Sequence, residues 1–152
     1  MAELSTVDGL AQLSFLVQST LDRRAAEHEL SMIQTRLLGV LRDRTPTMNE
    51  LAKLLDLDKS SVTGLVDRAE RRGLVERTTS AADGRVVLVS LTRAGRSLVS
   101  AVAKRFEADV SALLKHLPVA DRAALSGLIT RVLVAHAARE GVDLFPMYPR
   151  PS

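Results

Sequence analysis

Between Asp58 and Arg72 the chain gathers small hydroxyl side chains and arginines in a pattern suited to holding a polyanion rather than to bond-breaking. Placed on a helix of 3.6 residues per turn, Val62, Leu65, Val66 and Ala69 fall on one face, which must be the buried one. The opposite face carries Ser60, Gly64, Asp67 and Arg71, flanked by Ser61, Thr63 and Arg68, with Lys59 at its start. Small hydroxyl groups near a helix N-terminus suit close approach to base edges in the major groove of DNA. The helix dipole and free N–H groups at that end also favour a phosphate. Taken alone, the helix fits equally well as a surface element whose Ser and Thr are capping residues.

A second cluster lies just downstream. Asp83-Gly84-Arg85 sits where a hairpin would turn, projecting one arginine from the body. An arginine on a slim ribbon can enter a narrow A·T minor groove, where the potential is most negative. Asp83 could hold that guanidinium in a bidentate pair and preset its direction, although a solvated turn ion pair is the plainer reading. Lys59, Arg68, Arg71, Arg72, Arg77 and Arg85 together resemble a phosphate footprint, partly offset by Asp67, Glu70 and Glu76.

Other chemistries find little support. The absence of cysteine excludes disulfides, thiolate metal sites and thiol nucleophiles. His28, His116 and His136 are assigned to three different helices, without the i, i+4 spacing of a metal site, so surface or interface roles are expected. There is no Gly-rich phosphate loop, nucleophile elbow or paired His and acid. No catalytic residue, metal or cofactor is therefore expected.

The elements that must position these clusters follow from periodicity and caps. The 152 residues, 46% hydrophobic and 26% charged, fit one compact domain with an appended dimerisation element, its core aliphatic because aromatics reach only 3%. A net charge of +3 says little by itself. Apolar spacing predicts a helix from Val7 to about Ala26, capped by Ser5 or Thr6. Ser31-Met-Ile-Gln34 and Thr47-Met-Asn-Glu50 are capping boxes opening helices to about Asp43 and to Leu55, the latter with Leu51, Leu54 and Leu55 inward. Asp58 caps the hydroxyl-bearing helix, Lys59 to Arg72, and Gly73 closes it. Two β-branched runs, 74–78 and 86–91, predict a hairpin around the polar loop 79–84. Thr92 caps a helix to about His116, Pro118 breaks it, and a last helix ends near Gly141. The tail from Leu144 to Ser152 holds three prolines and is expected to be extended. The class is mainly α with a small β-wing, in the order α-α-α-α-β-β-α-α. Residues 1–17 lack a basic start and a continuous apolar core, and no stretch has the roughly 18 uncharged apolar residues of a membrane span, so a cytoplasmic protein without membrane contact is expected.

With these pieces in place, the stretch TMNELAKLLDLDKSSVTGLVDRAERRGLVERTTSAADGRVVLVSLTRAG resembles the multiple-antibiotic-resistance regulator (MarR) family. The resemblance rests on ELAKLL, SSVTGLVDRAERRGLVER, the D-x-R wing and the closing LTRAG. It implies one domain over 1–152, with a winged helix-turn-helix at 31–92 and dimerisation helices at 1–30 and 93–152. It further implies a homodimeric transcriptional regulator, a repressor by default, on an inverted-repeat DNA operator. By motif position, Lys59, Ser60, Ser61, Thr63, Gly64, Arg68 and Arg71 fall on its recognition helix, and Arg77, Asp83 and Arg85 on its wing. Gly64 departs from the longer polar side chain many members carry, so fewer base contacts are expected from mid-helix. A small aromatic or anionic effector between dimerisation helices and DNA lobes would meet Phe15, Arg23, His28 and Arg36, none in a recognisable ligand motif.

Two apolar stripes agree with a dimer: Leu98, Val102, Phe106, Val110 and Leu113, then Leu125, Leu128, Ile129, Val132 and Leu133. One winged lobe cannot cover both. The competing reading, a winged helix used only for protein docking, would call for apolar residues where Ser60, Thr63 and Gly64 stand.

Overall fold

A computed structural model describes residues 3–141, so the proline-rich tail lies outside the described residues. Helices α1 (Thr6–Ala26), α2 (Met32–Leu41), α3 (Met48–Leu55) and α4 (Lys59–Arg71) precede strands β1 (Val75–Thr79) and β2 (Val87–Leu91). Helices α5 (Arg93–Leu114) and α6 (Val119–Glu140) follow. The chain divides into two compact units, 1–107 and 108–152.

Local chemistry accounts for most boundaries. Ser5 caps α1 by accepting from the Asp8 N–H. Both capping boxes form: Ser31 and Gln34 exchange side-chain-to-backbone bonds at the start of α2, and Thr47 and Glu50 do so at α3. Helix α3 ends on Asp56 at φ 53°, and the Leu57 N–H returns to the Ala52 carbonyl. This left-handed residue makes the tight connection into α4. A similar left-handed turn at Glu29 (φ 57°) links α1 to α2. Helix α6 ends at Gly141, left-handed at φ 64°.

The strands differ from the sequence expectation by one residue at their starts. Leu74 is not in β1; it lies in the turn after Gly73 (φ 72°), buried, and its N–H bonds to the Ala69 carbonyl. The hairpin is antiparallel, with Val75 opposite Leu91 and Thr79 opposite Val87. Thr47 forms an isolated antiparallel bridge with Leu88, and the Val89 N–H donates to the Pro46 carbonyl at 2.9 Å. The segment entering α3 thus makes a rudimentary third strand. His28 and His116 lie in the turns after α1 and α5, leaving only His136 within a helix, contrary to the sequence assignment.

The core of the first unit joins Leu37, Leu38 and Leu41 of α2 to Leu51 and Leu55 of α3. Val62, Leu65, Val66 and Ala69 of α4 complete it with Leu74, Val75, Val89 and Leu91. Leu54, expected inward, is only partly buried. Thr92 fastens the start of α5 to this core. Its hydroxyl donates to the Gly73 carbonyl (2.6 Å) and accepts from the Gly95 N–H (3.0 Å). Gly95 packs so tightly here that an added Cβ would lie 2.0 Å from the Leu74 carbonyl oxygen. The LTRAG string is therefore a backbone junction. In the second unit, α6 carries exposed apolar side chains: Leu128 (56%), Ile129 (45%), Val132 (67%), Leu133 (46%) and Val134 (52%).

Candidate nucleic-acid interface

Burying the apolar stripe of α4 leaves Ser60, Ser61, Thr63, Arg68 and Arg71 exposed on the other side. The first turn is set by Asp58, whose Oδ1 accepts from the Ser61 N–H at 2.7 Å and from the Ser60 hydroxyl at 2.9 Å. The Ser61 N–H, then the Ser60 and Ser61 hydroxyls, hold the Asp58 carboxyl below the usual carboxylate range. An anionic cap thus stands where the sequence suggested an open phosphate site, and it takes one of the N–H groups a phosphate would use. The Thr63 hydroxyl donates to the Lys59 carbonyl at 2.8 Å.

Gly64 leaves a gap in mid-helix, and Arg68 reaches into it. Its Nη1 lies 3.2 Å from where a Gly64 Cβ would stand. The missing side chain therefore makes room for a guanidinium, rather than leaving that part of the face empty.

Arg77 departs from its expected wing role. Its guanidinium pairs with Asp67 at 2.6 Å and Glu70 at 3.0 Å, with 24% of the side chain exposed. The Arg77 N–H also bonds to Glu70 (3.3 Å). It clamps β1 to α4, and two carboxylates occupy the charge that was assigned to DNA. Arg72 is likewise engaged: it donates to the His28 and Glu29 carbonyls at 2.9 and 3.1 Å, tying the end of α4 to the turn after α1. Neither tie was legible in the sequence.

At the wing, the Ser80 N–H bonds to the Val86 carbonyl at 2.8 Å, and the Val86 N–H to the Asp83 carbonyl at 3.0 Å. Asp83 does not grip Arg85 in a bidentate pair. Its Oδ1 accepts the Arg85 backbone N–H at 3.0 Å, and only Nε of the side chain approaches, at 3.5 Å. Both contacts fall on the same oxygen, Oδ1. The Arg85 side chain is 94% exposed, projecting from the ribbon.

The residues suggested for an effector are scattered by element. Phe15 and Arg23 are exposed on α1, Arg36 is exposed on α2, and His28 is half-buried in the turn between them. A cavity of about 280 Å³ in the first unit is lined instead by Arg42, Asp43, Arg44, Thr45, Ser90 and Arg96, among others.

Comparison with known proteins bears on the fold. A model of the MarR family matches residues 28–86. The HTH-type transcriptional repressor NicR of Pseudomonas putida is 35% identical over 81 residues, covering 53% of this chain and 51% of that protein. The chain thus spans about half the length of that relative. Among solved structures, wild-type MarR from E. coli, in its apo form, superposes with a TM-score of 0.70 at 25% identity, covering 87% and 99% of the two chains. The S. aureus MepR–DNA complex gives 0.67 at 24% identity, covering 88% and 99%, and supports the fold.

Proposed function

We propose that the chain is a MarR-family winged-helix regulator, as the family match over residues 28–86 supports, and that it is a sequence-specific DNA-binding transcriptional repressor. The observation that carries this reading is the polar face of α4 beside a ribbon that ends in an exposed arginine. Ser60, Ser61, Thr63 and Gly64 would approach base edges in the major groove. Lys59, Arg68 and Arg71 would meet the DNA from the same helix, and Arg85 would enter the flanking minor groove. The winged lobe over 31–92 would act through a homodimer built from 1–30 and 93–152, since α6 exposes apolar residues that a second chain would cover. A protein-docking wing is disfavoured because the presented α4 positions are polar or small.

No helix among the described residues is long and apolar enough to cross a membrane. A cytoplasmic location follows from the proposed partner, double-stranded DNA. Release by a small aromatic or anionic effector belongs to the same reading, with Phe15, Arg23, His28 and Arg36 as its candidate contacts. These assign the chain a binding role, not a catalytic one. Footprinting of the purified protein on genomic DNA tests the proposal. Protection of a discrete inverted repeat is expected, and protection that tracks only DNA length would contradict it.

A further inference from the structure

Resting on the DNA-binding reading above, we infer that α4 divides its exposed face into an acceptor half and a donor half, fixing the base types it reads. The acceptor half comes first. The Ser60 hydroxyl hydrogen goes to Asp58 (2.9 Å) and the Thr63 hydroxyl hydrogen to the Lys59 carbonyl (2.8 Å), so both oxygens turn lone pairs outward. Asp58, held as a carboxylate, adds only acceptors. Such a surface matches a base that offers an amino group in the major groove, N6 of adenine or N4 of cytosine.

The donor half is Arg68. A helical side chain leans toward the N-terminus, and this one brings Nη1 to the vacancy over Gly64. The guanidinium therefore acts about one turn earlier than its own Cα. Facing the groove, it offers paired N–H donors, which suit O6 and N7 of guanine. Gly64 acts as a specificity-determining residue by what it leaves open. Ser60 and Gly64 are four residues apart, about 6 Å along the axis at roughly 1.5 Å per residue. At about 3.4 Å per base pair, that places the guanine about two base pairs from the amino-bearing base in each half-site.

Selection from a duplex library with a randomised centre tests this, using the full chain and its Arg68→Met, Arg68→Lys, Gly64→Gln and Ser60→Ala variants. Wild type should enrich half-sites holding guanine about two base pairs from adenine or cytosine. Arg68→Met should lose roughly tenfold of its preference at the guanine alone, and Arg68→Lys should keep part of it. Gly64→Gln, whose side chain fills the vacancy, should shift that position toward adenine. Ser60→Ala should relax only the amino-base position. An enriched inverted repeat on which Arg68→Met lowers affinity uniformly, with every base preference intact, would overturn the inference while leaving the proposed function standing. No enrichment by wild type would overturn both.

Discussion

Individual arginines in this chain have different fates, and the difference decides what each substitution should do. Arg85 is 94% exposed at the wing tip, while Arg77 is held by two carboxylates and Arg72 by two carbonyls. Replacing Arg85 with Ala should weaken specific binding by roughly 1–3 kcal/mol, with the loss largest on operators with A·T-rich flanks. Titration against flank variants checks this. An equal loss on operator and random DNA would reduce Arg85 to general phosphate attraction. Gly95 is a case where one methyl group matters. Its Cβ would stand 2.0 Å from the Leu74 carbonyl oxygen, a backbone atom that cannot swing aside. Gly95→Ala should therefore destabilise the fold by about 3 kcal/mol, read by denaturant unfolding. An unchanged midpoint would show that the junction is looser than described.

At the scale of elements, recognition depends on how rigidly α4 and the ribbon are joined. The Arg77 clamp joins them across ten residues of sequence. Because the carboxylates are nearly half exposed, at 46% and 44%, water screens the pair, and its loss should cost only about 1 kcal/mol of stability. Arg77→Met should nonetheless reduce operator affinity, since β1 loses its hold on α4, while leaving the salt dependence of binding unchanged. A shallower salt slope in that variant would return Arg77 to the phosphate contacts. The clamp also illustrates what the sequence could and could not disclose. The capping boxes at Ser31 and Thr47, the Asp58 cap and the buried stripe of α4 were legible because their partners lie within three or four residues. The ties of Arg72 span 43 and 44 residues, and the Thr47–Leu88 bridge spans the whole helix-turn-helix. Such contacts exist only once the core has brought the elements together. The expected bidentate Asp83–Arg85 pair is absent: Asp83 Oδ1 takes the backbone N–H of Arg85 and the long Nε contact together.

At the scale of the whole molecule, reading a two-fold operator would take two copies acting together. Helix α6 exposes Leu128 at 56% and Val132 at 67%, and α1 exposes Leu10 and Phe15 at 60% and 73%. Surfaces of this kind call for a partner. Replacing Leu128 and Val132 with Glu should abolish dimerisation and specific DNA binding together, which sedimentation and gel shift would record. A variant that sediments as a monomer yet binds its operator normally would contradict the dimer.

Symmetric reading of DNA by the charges the fold leaves exposed should show itself in the salt dependence of binding. With Arg72 and Arg77 engaged within the protein and Arg68 turned to guanine, Lys59 and Arg71 remain on each α4 to meet phosphate. A dimer would then neutralise about four phosphates, corresponding to a log–log salt slope of about −3.6 by the counterion-release rule. The half-sites should be inverted and about 10 base pairs apart. Fluorescence anisotropy across a salt series, on duplexes carrying the half-sites as inverted or direct repeats, measures both quantities in one experiment. Tight binding to the inverted repeat alone is expected, with a slope of about −3.6. A slope near zero, or equal affinity for the two arrangements, would contradict it.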